Sequence, residues 1–158
     1  MRTAVLGRQL RALWLAARPS QVALIVLVYA LGVGIARASA SVSWAAIAVG
    51  GGALLPVGLG VHYANEYADV ETDRLTERTP FSGGSGAVER TGVDRALLAR
   101  ATALAILGGC AAAALGWRAE LLSPTALGLL AAIAVAGLAY SLPPAALVRR
   151  GVGEVTNA

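Results

Sequence analysis

The sequence contains few charged residues, no lysine, and one residue each of cysteine, histidine, methionine and phenylalanine. Charged residues make up 14% of the chain, and the mean hydropathy is +0.68. So few charges cannot cover a soluble domain of this length, which excludes that class of protein. The single Cys110 excludes an intrachain disulfide, and its place inside an apolar run predicts a small packing residue.

The chain does contain four long apolar runs. A helix needs about 20 residues to cross roughly 30 Å of hydrocarbon. The predicted spans cover approximately residues 19–36, 42–64, 101–117 and 121–142. Each run is apolar on all sides, so lipid or neighbouring helices must surround it. The predicted fold is an all-α, multi-pass transmembrane bundle of about four spans plus the start of a fifth, forming one domain over residues 1–158.

The basic residues, all thirteen of them arginine, predict the orientation. Eleven lie before the first span, between the second and third spans, or after the fourth, and only Arg37 and Arg118 lie in the other loops. This bias predicts a cell-membrane protein with a cytoplasmic N-terminus and a cytoplasmic polar loop at 65–95. The net charge of +4 then indicates contact with anionic membrane lipid rather than with nucleic acid.

The polar segment between spans two and three begins with an unusual cluster of carboxylates, four of which lie between Glu66 and Asp73. Asn65, Asp69 and Asp73 are spaced by four, so a helix places them on one face. Glu66 adds a neighbouring carboxylate to that face. Because such a cluster repels itself, a bound cation is expected, and oxygen-only ligands suit Mg²⁺ or another hard cation.

The residues that follow the carboxylates are suited to binding phosphate. Arg74 and Arg78 supply guanidinium groups, and "SGGSG" at 82–86 is rich in backbone donors. Singly, a carboxylate cluster is more often a solvated loop and "SGGSG" a plain linker. Their combination at the mouth of a span predicts a phosphate-bearing substrate that shares Mg²⁺ with the carboxylates.

These motifs together resemble the UbiA family of intramembrane prenyltransferases. "NEYADVETD" at 65–73 resembles the family's first aspartate-rich motif, N-x-x-x-D-x-x-x-D, at the cytoplasmic end of the second helix. "SGGSG" is closest to the branch that acts on 1,4-dihydroxy-2-naphthoate in menaquinone synthesis. The flanks agree over nearly the whole chain: "WLAARPSQ" at 14–21, "DRLTERTP" at 73–80 and "YSLPPAALVRRGVGE" at 140–154.

The resemblance implies transfer of a polyprenyl group from a polyprenyl diphosphate to an aromatic quinone precursor, with Mg²⁺ as cofactor. Asp69 and Asp73 would be catalytic, binding the metal together with Asn65. Asn65 would also contact the diphosphate. Arg78 and Arg74 would contact the diphosphate as well, and Glu66, where many members have Asp, would be a weaker metal ligand.

This chain departs from the family in length. Members have about nine helices and a second aspartate-rich motif, which is not found in these 158 residues. Three explanations stay open: a truncated gene or fragment, a split enzyme whose second chain supplies the other half, and a degenerate relative. Truncation is favoured, and the chain alone is then expected to be inactive.

Two functions from other classes also stay open. One is a cation-binding membrane transporter, which the clustering of the acids at one membrane face disfavours. The other is a non-catalytic membrane scaffold related to the enzyme.

Four residues keep two interpretations each, as packing or capping residues or as parts of the site: His62, Tyr63, Tyr140 and Glu154.

Overall fold

The computed structural model of the protein describes residues 2–73 and 84–150. These two ranges contain helices and no strand, which confirms the all-α prediction. The elements are α1 (Arg2–Ala16), α2 (Pro19–Ser39), α3 (Trp44–Asp73), α4 (Ala87–Thr91), α5 (Ala96–Arg118), α6 (Pro124–Ser141) and a 3₁₀ turn (Leu147–Arg150).

Four of these helices, α2, α3, α5 and α6, are long and apolar enough to span a membrane. They correspond to the four predicted spans, which indicates a membrane protein. α6 begins at Pro124 because the Ser123 hydroxyl accepts a hydrogen bond from the Ala126 N–H at 3.2 Å. α5 begins before the predicted apolar run because the Asp94 carboxylate accepts from the Ala96 N–H at 2.8 Å.

α3 is longer than the span predicted from its apolar residues. It has 30 residues and continues through Pro56, so it measures about 45 Å, whereas the hydrocarbon core is about 30 Å thick. Residues 65–73 therefore do not begin a loop but extend the helix past its apolar part. This rigid extension fixes the spacing of the acidic side chains.

α3 is also the helix around which the others pack. Its most extensive contact is with α5, followed by α6 and α2. Gly109 of α5 allows the two backbones to approach closely, because a Cβ atom there would lie 2.9 Å from the Ala53 carbonyl oxygen and 2.7 Å from Val57 Cγ2. Small residues at a helix crossing are the usual means of close packing within a membrane.

The N-terminal helix α1 was not predicted from the sequence. It packs on α4 and also contacts α3 and α5, and it buries Ala12 and Ala16 completely. Ala16 joins Ala87 and Leu98 in a small core, with Tyr63 packed against it. Arginines interrupt the apolar pattern of this segment, which hides its helical period. α1 closes one side of the bundle at the acidic end of α3.

A large apolar groove lies between α2, α3 and α6. It encloses about 1100 Å³, and its walls are almost entirely aliphatic, with Tyr29 as a polar exception. The Tyr29 hydroxyl donates to the Ile47 carbonyl at 2.6 Å, and the Ser123 hydroxyl, which also lines the groove, accepts from the Ala126 N–H. Other wall residues include Ile25, Gly50, Leu54, Leu122 and Leu129.

The close contact of α3 and α5 predicts a difference between two adjacent glycines. Gly109→Leu should lower the thermal unfolding midpoint in detergent by roughly 5 °C, since the added side chain overlaps α3 backbone. Gly108→Leu is the matched control, because a Cβ atom at Gly108 meets nothing within 4 Å. Equal midpoints for the two variants would contradict this packing.

Candidate functional site

The acidic end of α3 forms a polar face whose first residue is fixed by another helix. Asn65 Oδ1 accepts a hydrogen bond of 2.6 Å from the hydroxyl of Ser141, the last residue of α6. Ser141 is completely buried, so this polar contact lies inside the bundle. It holds the Asn65 amide in one orientation and joins α6 to the site.

One helical turn further along, Asp69 has a half-buried carboxylate. Nowhere in residues 2–73 and 84–150 does a donor form a hydrogen bond to that carboxylate, although Arg149 and Arg18 lie close enough to act on it electrostatically. Arg149 is held there because its Nη2 donates to the Ala68 carbonyl at 2.9 Å. Asp69 is therefore partly desolvated, near positive charge, and has both oxygens available to a ligand.

Glu66 lies in a different environment on the same helix. Glu66 is only 3% exposed, and both of its carboxylate oxygens accept hydrogen bonds from the protein. The Ser85 N–H donates to Oε2 at 3.0 Å, and the Ser85 hydroxyl and the Ala87 N–H donate to Oε1 at 2.6 and 3.1 Å. The Arg18 guanidinium completes the set at 3.5 Å from Oε2. The role suggested for Glu66, as a weaker metal ligand, therefore has less support than the role suggested for Asp69.

The glycine-rich loop supplies two of these donors through its backbone. Gly84 and Gly86 have φ values of 66° and 64°, which glycine adopts without steric cost. These conformations on either side of Ser85 direct the Ser85 and Ala87 N–H groups towards Glu66. The described end of "SGGSG" therefore binds a carboxylate of the protein itself.

Arg18 and Arg149 are site residues that the sequence reasoning missed. Arg18 lies between α1 and α2 with φ 50° and ψ 71°, a left-handed conformation uncommon outside glycine. The following Pro19 disfavours the α-helical conformation there. The Arg18 Nε is buried and has no hydrogen-bond partner among the residues that the structure describes. Both arginines lie within the quoted motif stretches, 14–21 and 140–154, and those motifs are the signal that could have identified them.

The remaining predicted residues divide into those that the structure describes and those outside it. Asp73 is the last residue of α3, but its side chain lies outside the described part, as do Arg74, Arg78 and Glu154. Tyr63 packs against the small core, which favours its packing interpretation. His62 is partly buried, and no described residue forms a hydrogen bond with its Nε2. Tyr140 lies in α6 beside Ser141.

The described residues supply only some of the oxygen ligands that a hard cation needs. Within the described ranges, no group of three or more His, Cys, Asp or Glu residues could hold a metal ion. Asn65 and Asp69 nevertheless place two oxygen ligands on adjacent turns, and the Asn65 oxygen keeps a lone pair besides the one that Ser141 uses. Mg²⁺ typically takes one or two carboxylates and completes its shell with water and phosphate oxygens. Asp73 is the last residue of the same helix.

Comparison with family models, with curated proteins and with solved structures gave no match to this chain. The resemblance to the UbiA family therefore rests on the motifs of the sequence and stays a prediction.

The Ser141 contact predicts a loss of stability on removal of one hydroxyl. Ser141→Ala should lower the unfolding midpoint by roughly 3 °C, because the Asn65 oxygen loses a buried donor worth about 1 kcal/mol. Ser39→Ala is the control: Ser39 also ends a spanning helix, but its hydroxyl is exposed and donates within its own helix to Ile35. A fall of the same size in the control would contradict the assignment.

Proposed function

We propose that the protein is a Mg²⁺-dependent prenyltransferase of the UbiA type, which transfers a polyprenyl group from a diphosphate to an aromatic quinone precursor. The observation that supports this best is the polar face of α3. Asp69 there is half-buried, has no hydrogen bond from the described residues, and is near Arg18 and Arg149. A carboxylate so placed, next to an amide oxygen on the previous turn, suits a cation shared with an anionic substrate.

In this proposal each polar residue of the face has a defined task. Asn65, Asp69 and Asp73 hold Mg²⁺, which when bound neutralises negative charge on the departing diphosphate. Arg74 and Arg78 contact the diphosphate oxygens by charge-assisted hydrogen bonds. Ser141 fixes the orientation of Asn65, so that its oxygen is positioned before the substrate binds.

The apolar groove supports the same proposal, because an isoprenoid tail needs an aliphatic surface. Gly58, at one end of the groove, and Asp69 are on the same helix, separated by roughly 16 Å of rise. The aliphatic walls of the groove itself would also limit the access of water to the isoprenoid part of the substrate. The substrate's charged and apolar parts would then each face matching side chains.

We further propose that the acidic end of α3 faces the cytoplasm of the cell that makes the protein, in its plasma membrane. The distribution of arginines supports this orientation, since they concentrate in the segments joined to that end. α1 has three of them and lies at the same end of the bundle, through its contacts with α3 and α4.

The orientation can be tested by cysteine labelling in a Cys110→Ala background. Ser41, between α2 and α3, and Thr3, in α1, are both exposed. In whole cells a membrane-impermeant maleimide should label Ser41→Cys, whereas Thr3→Cys should be labelled only after permeabilisation. The reverse pattern would show that the acidic end faces the outside.

The activity is tested by transfer of a labelled prenyl group to an aromatic acceptor. Asp69→Asn and Asp73→Asn should each lower Mg²⁺-dependent transfer by about 100-fold or more, since each removes a charged ligand of the cation. The substitutions are best made in the chromosomal gene and assayed in native membranes, so that any second chain is present.

Glu71→Gln is the matched control for these variants. Glu71 is on the same helix, but its side chain is 83% exposed and its ion pair with Arg95, at 3.8 Å, is loose. It should keep transfer within about twofold of the wild type. Ion flux without transfer would favour the transporter and overturn the proposal.

A further inference from the structure

The most extensively bonded polar group in the described part of the protein is the Glu66 carboxylate. Its four donors come from two segments far from Glu66 in sequence. Arg18 lies at the junction of α1 and α2, and Ser85 and Ala87 lie where the glycine-rich loop enters α4. The carboxylate therefore holds three parts of the chain together at the acidic end of the bundle.

The hydrogen-bonding capacity of this carboxylate is full. A carboxylate offers about four lone-pair sites, and four donors occupy those of Glu66. Coordination of a metal ion would displace donors that lie in a buried environment, at 3% residue exposure, where an unpaired N–H is unfavourable. Asp69 has no such competition from the described residues.

We propose that Glu66 is a positioning residue that ties the glycine-rich loop to α3, and that the cation is held without it. This inference rests on the proposed function, since it assigns roles within the same site. Ser85 is bound to Glu66 two helical turns before the end of α3. The described end of the glycine-rich loop is thus held beside the acidic end of α3.

Hydrogen exchange read by mass spectrometry tests the tether directly, without any prenyl transfer. In Glu66→Gln, which keeps the size of the side chain but replaces one acceptor oxygen by a donor, the Ser85 and Ala87 amides should exchange about tenfold faster or more. Ser85→Ala removes the hydroxyl donor to Glu66 and the hydroxyl oxygen that accepts from the Ala87 N–H at 3.1 Å, and it leaves the bond from the Ala87 N–H to Glu66 in place. It should therefore give a smaller acceleration at Ala87, and it serves as the test if Glu66→Gln does not fold. Glu71→Gln should leave both amides unchanged.

A second measurement separates the tether from a metal ligand. Binding of Mn²⁺ as a substitute for Mg²⁺, in the presence of inorganic diphosphate, should weaken about tenfold or more in Asp69→Asn and stay within about twofold in an Ala variant of Ser85. Unchanged exchange in Glu66→Gln, or a loss of Mn²⁺ affinity in Glu66→Asp as large as in Asp69→Asn, would overturn the inference. If the wild type binds no Mn²⁺, the metal site of the proposed function fails, while the exchange rates still decide whether the tether exists.

Discussion

A buried carboxylate needs hydrogen-bond donors, and the way in which Glu66 obtains them organises one end of this molecule. The donors are a guanidinium group, a hydroxyl and two backbone N–H groups, and supplying them brings together three chain segments. The small core of Ala16, Ala87 and Leu98 packs at the same place, joining α1, α4 and α5. Removal of the carboxylate would leave buried donors unpaired, so these segments depend on it.

The same interaction divides the work among neighbouring carboxylates of α3. Glu66 and Asp69 are three residues apart on one helix, yet the described residues occupy the oxygens of the first and donate no hydrogen bond to those of the second. The surroundings of each carboxylate, rather than its chemistry, thus decide whether the described part of the protein occupies its oxygens. The Asn65 amide oxygen is an intermediate case. One of its two lone pairs accepts the hydrogen bond from Ser141, and no described residue uses the other.

The four spans could be predicted from the sequence because they follow from apolar length. The placement of Asn65 and Asp69 on adjacent turns of one helix could also be predicted, because it follows from their spacing. The role of Glu66 could not, because its donors lie 19 to 48 residues away and spacing along a helix says nothing about them. Helix α1 was not predicted because its arginines interrupt the periodic pattern of apolar residues. The full length of α3 was not predicted because its polar end has no such pattern. Arg149 reaches Ala68 across 81 residues, a contact of tertiary structure alone.

The central claim is that the polar face of α3 binds a diphosphate together with a divalent cation. Isothermal titration calorimetry of the protein in lipid nanodiscs, with inorganic diphosphate as the titrant, tests it most directly when Mg²⁺ is present in one series and absent in the other. The proposed site should bind diphosphate saturably with Mg²⁺ and, without it, at least about tenfold more weakly. Equal affinity in the two series, or no binding in either, would contradict it.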